Sequence, residues 1–123
     1  MADTSEAPAP QPPPPSPRLR LAQAARDAAL DVPGVHDTDA GPLGLYLTAA
    51  GGQRVEGVVC AATREGGYEI SLKLIADLVP LPALSERVQT AVRRAARSAG
   101  LTLSAVSVEI TGVATSAETD DAA

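Results

Sequence analysis

An α+β fold, a two-layer sandwich with two helices on one face of a small mixed three- to four-stranded sheet, follows from three observations. Two Ala- and Leu-rich segments repeat apolar residues at helical spacing. Tyr68–Ile75 and Leu103–Thr111 alternate apolar and polar residues, the mark of a strand with one buried face. The order is helix, two or three strands, helix, strand, which is solved economically by two helices covering one side of a sheet.

Ser16-Pro17 opens the first helix, with Ser as N-cap and Pro at the first helical position. Arg18–Asp31 follows, with Leu21, Ala25, Ala28 and Val32 as its apolar stripe. Pro33-Gly34 ends it, because the proline pushes Val32 toward extended geometry. His36–Pro42 reads as a polar turn region. Leu43–Ala49 and Arg54–Ala62 read as strands joined by a hairpin at Gly51-Gly52. Glu65-Gly66-Gly67 turns the chain into the clearest strand, where Tyr68, Ile70, Leu72 and Leu74 alternate with Glu69, Ser71 and Lys73. Pro80 and Pro82 introduce a second helix that stops at Gly100. Leu84, Val88, Ala91, Val92, Ala95 and Ala99 form its apolar face. In the last strand Val106, Val108 and Ile110 point inward, opposite Ser107, Glu109 and Thr111. A strand–helix–strand connection returns the chain parallel. With no Phe or Trp, the core must be aliphatic.

Three regions follow from the composition. Residues 1–17 are proline-rich, 114–123 are small and acidic, and neither can bury enough apolar surface to offset the entropy of ordering; both are expected to be disordered. Residues 18–113 form the domain. The formal charge of −5 is carried entirely by the tail acids Asp3, Glu6, Glu118, Asp120 and Asp121, so the domain itself is neutral. A neutral domain with acidic tails is a poor general attractor for nucleic acid or anionic lipid. Cys60 is the single cysteine, which excludes an intrachain disulfide and suits a reducing cytosol. The N-terminus has no basic region followed by an apolar run, so no signal peptide is expected. No apolar stretch approaches the ~20 residues of a membrane helix.

Val32-Pro33-Gly34-Val35, the strand GGYEISLKLI at 66–75, the proline-led helix PLPALSERVQTAV at 80–92, Ala99-Gly100-Leu101 and VSVEITGV at 106–113 follow one another in a spacing that resembles the alkaline shock protein family of Gram-positive envelope stress response proteins. The resemblance covers about residues 21–113. It departs at the start, where the family's usual strand before the first helix is replaced by the proline-rich tail. What the resemblance implies is a cytoplasmic, non-enzymatic protein without cofactors. It would gather at the inner face of the cell membrane, with itself (a homo-oligomer) and a membrane-anchored protein of the same family as partners, and no direct membrane insertion.

Candidate chemistry is sparse. His36, Asp37 and Asp39 form the one local cluster with metal-ligand side chains, but a solvated turn accounts for it better, since a single His leaves few ligands to complete a site. Cys60 lies mid-strand among aliphatic residues and reads as a small, inert core residue. Gly41-Pro42-Leu43-Gly44 matches the GxxG pattern of KH-type nucleic-acid binders, without a basic residue in the loop. Arg87, Arg93, Arg94 and Arg97 on the second helix are the candidate partner-binding residues. They form either a stripe that docks an acidic surface or an ordinary solvated face, with three of them toward the helix's C-terminal end. No nucleic acid is expected as a partner; the alternative reading is a small KH-like module using this basic face.

Overall fold

The computed structural model describes residues 16–114; the two tails lie outside this range apart from Ser16, Pro17 and Ala114. The elements run α1 (Pro17–Leu30), β1 (Val35–Thr38), β2 (Leu47–Ala50), β3 (Gln53–Glu56), β4 (Val58–Ala62), β5 (Tyr68–Ala76), α2 (Leu81–Ser98) and β6 (Leu103–Val113). The fold is α+β, as the pattern predicts.

Helix α1 starts where the sequence places it. The Ser16 hydroxyl accepts from the Leu19 N–H at 3.1 Å, which satisfies one of the free donors of the first turn, and Pro17 occupies N1. Its buried face is Leu19, Leu21, Ala22, Ala25 and Ala29, so the apolar stripe runs beside the expected one and Ala28 is only half-buried. Helix α2 buries Leu84, Val88, Val92 and Ala96. Ala91, Ala95 and Ala99, expected on that face, sit at its margins. The helix ends in a Schellman turn: Gly100 N–H donates to Arg97 O and Leu101 N–H to Ala96 O, both at 3.0 Å.

Strand β5 is the axis of the sheet. Ile70, Leu72, Leu74 and Ala76 are buried beneath the helices, while Glu69, Ser71 and Lys73 lie on the other face. Strand β6 runs parallel along one side of β5, with Val106, Val108 and Ile110 in register with Ile70, Leu72 and Leu74. Helix α2 packs against β6 and α1, and α1 reaches β4 and β1. The result is one aliphatic layer between helices and sheet, with Leu21, Leu72, Leu74, Leu84, Val58 and Val88 essentially without solvent exposure. Truncating any of these leucines to Ala costs about 2–5 kcal/mol.

Three expectations are corrected on the other side of β5. Residues 36–38, expected in a turn, belong to β1, which pairs antiparallel with the end of β5 (Asp37 with Ile75, Thr38 with Leu74). Residues 54–62, expected as one strand, are two: β3 pairs with β2 in a separate two-stranded ribbon, and β4 pairs with β5 from Val58–Leu72 to Ala62–Tyr68. The expected strand at 43–49 shrinks to Leu47–Ala50, and Leu43 and Leu45 lie outside it. The Gly51-Gly52 hairpin forms as expected, with both glycines at positive φ (59° and 81°), the type I′ geometry that suits the twist of two strands.

Along β5, Asp39 N–H donates to Lys73 O, and Lys73 N–H donates to Gly57 O. β1 and β4 are thus two halves of one interrupted strand, and residues 40–56 are an excursion between them that folds into the β2–β3 ribbon. Gly57 is the seam, with φ 83°. A Cβ there would collide with the Thr38 side chain and lie 2.9 Å from the Asp39 nitrogen.

Candidate functional site

Polar groups near the seam are turned to structural use. Thr48 on β2 is 1% exposed, and its hydroxyl donates to Val58 O and accepts from Cys60 N–H, each at 2.9 Å. It stands in for the next strand along β4. The Arg18 guanidinium, reaching across from α1, donates to Ala49 O at 2.8 Å and to Cys60 O at 3.4 Å. The outer edge of β4 is therefore closed by one hydroxyl and one guanidinium.

Cys60 lies beneath them, 2% exposed. Burial pushes its thiol up to about 11, against a smaller opposing pull from the Arg18 charge. The unfolded thiol ionises near 9.0 while the native one holds its proton. Native stability from this group is therefore complete below pH 9.0 and is lost as pH rises to about 11, a change of about 2–3 kcal/mol. Denaturant melts of wild type and Cys60→Ala across this range should converge as pH rises. An Ellman-type reagent should label Cys60 only as fast as the chain opens.

The excursion is pinned at its root. Asp39 accepts from the Thr111 hydroxyl at 2.6 Å and from the Gly41 N–H at 2.9 Å, and these bonds hold its carboxyl below the usual range. Tyr46 N–H donates to Ala40 O, Gly57 N–H donates to Tyr46 O, and the Lys73 ammonium sits 4.5 Å from the centre of the Tyr46 ring. Between these anchors the tip presents Leu43 and Leu45 to solvent, 81% and 74% exposed. Sequence periodicity misses both by absorbing them into an apolar strand.

The His36, Asp37 and Asp39 cluster is not gathered. His36 Nδ1 lies 3.4 Å from Asp77, Asp37 is 3.9 Å from Arg26, and Asp39 is held by Thr111. Among the described residues no group of three His, Cys, Asp or Glu side chains is placed to hold a metal. The GxxG segment joins two strands, β1 and β2, whereas the KH loop joins two helices.

Arg87, Arg93, Arg94 and Arg97 are all exposed on α2, as their spacing predicts. Only Arg97 falls in the last turn, so the helix dipole accounts for one of them and not three. None forms an ion pair with another described residue. Arg87 and Arg94 line a shallow depression on α2 together with Ala83, Glu86, Thr90 and Ala91. A second cleft, between α1 and the β2–β3 ribbon, is lined by Leu19 and Val55 with Arg20, Asp27 and Arg54 around them.

No family model, no curated protein and no solved structure matches the chain. No helix among the described residues is long and apolar enough to cross a membrane.

Proposed function

We propose that this chain is a non-enzymatic interaction and assembly domain of the envelope-stress type. It acts in the cytoplasm by associating with itself and by docking to a membrane-anchored partner of the same family at the inner face of the membrane. The observation that carries the reading is the pinned tip of the excursion. Asp39, Thr111, Tyr46 and Lys73 hold its base while Leu43 and Leu45 are left open to water. Two large leucines on an anchored loop are a costly feature for an isolated monomer and a useful one for a protein that docks. The polar groups around Cys60 and Thr48, by contrast, are occupied within the fold.

The test is fractionation of cells with and without a co-expressed membrane-anchored relative. The chain should sediment with membranes only when that relative is present. Replacing Leu43 and Leu45 together by Asp should weaken its retention by about tenfold or more, as loss of an apolar anchor does. Unchanged retention of the double variant would remove the leucines from the docking surface.

A nucleic-acid module is the second reading, favoured by the four α2 arginines that have no acidic partner among the described residues. It predicts a salt-dependent shift of single-stranded RNA that Arg94→Glu weakens. That result would replace the docking proposal.

A further inference from the structure

The two sides of the main sheet are treated differently. Along β4 the backbone is closed by the Thr48 hydroxyl and the Arg18 guanidinium. Along β6 there is no such guard among the described residues. The direction of its backbone groups follows from the strand beside it. Lys73 directs its N–H and C=O toward Gly57 and Asp39, so alternation turns Leu72 and Leu74 toward β6. In the parallel register Leu72–Val108 and Leu74–Ile110, Ser107 and Glu109 then face β5. The N–H and C=O groups of Val106, Val108 and Ile110 point outward, with no side-chain partner among the described residues.

This edge is eleven residues long, LSAVSVEITGV, rich in β-branched residues, with one charge and no proline. Natural edges are usually blunted by charge, proline, bulges or brevity. Here the irregularities fall at Ser104 and Thr111, and the stretch Ala105–Ile110 between them pairs regularly with β5, has no proline and carries the single charge of Glu109. It is also self-complementary. A twofold axis at Val108 places Val108 against its own copy, Val106 against Ile110 and Ser107 against Glu109 of the second chain. The outward-facing residues become the hydrogen-bonded pairs that an antiparallel ladder requires. The half-buried Val106, Val108 and Ile110 side chains gain apolar neighbours, and each Glu109 meets a hydroxyl and not another carboxylate.

We infer that β6 is the self-association surface, pairing antiparallel with β6 of a second copy of this chain to continue the sheet across a closed dimer. The inference rests on the self-association part of the proposed function and gives it a place and a symmetry. Because β4 is capped, growth on that side is blocked, and addition stops at two.

The test uses one position on the open face of β6. Ser107 and Glu109 are exposed, so changing Ser107 leaves the core untouched. In the dimer, Ser107→Glu sets carboxylates against Glu109 of the partner twice, and Ser107→Lys sets an ammonium there twice. Light scattering across a dilution series at low salt should show a discrete dimer. Ser107→Glu should weaken it about tenfold and Ser107→Lys should strengthen it, with the difference shrinking in high salt. Circular dichroism establishes that both variants are folded. A dimer indifferent to both charges overturns the edge assignment and leaves self-association standing. A wild-type chain that stays monomeric at every concentration overturns the self-association reading as well. Open-ended polymers would overturn the closed twofold pair.

Discussion

Gly57→Ala should lower stability by about 2–5 kcal/mol, the sum of a left-handed backbone for a residue with a Cβ and of overlap that a packed interior cannot relieve. The position has φ 83°, and the atoms a methyl would meet belong to Thr38 and to the Asp39 backbone. Those atoms cannot swing away, because Asp39 N–H is bonded to Lys73 O at 2.8 Å. Relief would require the two halves of the interrupted strand to separate, breaking the ladder on β5. A matched control is Gly51→Ala, at φ 59° with nothing within 4 Å of the added methyl. It should cost only about 1 kcal/mol, the backbone term alone. Urea melts of the two variants separate the contributions. Equal losses at the two sites would mean that the seam is not tight.

Thr48→Val should cost about 2–4 kcal/mol, a large share of the 5–15 kcal/mol that holds a typical domain together. The isostere keeps the packing volume but removes a hydroxyl that serves Val58 O and Cys60 N–H at once. Both backbone groups are then buried beside a methyl, and each loses its partner where water cannot replace it. Thr48→Ser keeps the hydroxyl and loses a methyl, so it should retain most of the stability. Chemical denaturation of the pair is decisive. If Val and Ser behave alike, the bridging hydroxyl contributes little.

Most of the scaffold is legible in the sequence because it depends on local periodicity. β5, α2 and β6 are set by strict two-fold or helical spacing of aliphatic residues. The ends of α1 and α2 are set by Ser16-Pro17 and Gly100, whose roles are local. The excursion is not legible, for a physical reason. Leu43 and Leu45 are apolar, and apolarity in a sequence signals burial unless the third dimension leaves them outside. His36-Asp37 has little strand propensity, and it is held extended by pairing with the end of β5, far away in the chain. One signal was present: an isolated glycine inside RVEGVVC marks either a bulge or a close approach of backbone, and Gly57 is such an approach. The basic positions of α2 were legible as an exposed stripe. The closing of β4 by Thr48 and Arg18 was not, because it joins residues from three elements.

The interrupted strand has a bearing on how such a domain can diversify. Because β5 sees β1 and β4 as one continuous neighbour, residues 40–56 can change in length or tip chemistry while the ladder beneath stays as it is. New surface chemistry could arise at its tip without rebuilding the main ladder. The freedom has limits, set by Val55, which is buried in the core, and by Thr48, which belongs to the exchangeable segment yet shields the permanent one. A replacement lacking an equivalent hydroxyl would bare the β4 backbone, and a chain open at both sides of its sheet has the geometry of a fibre.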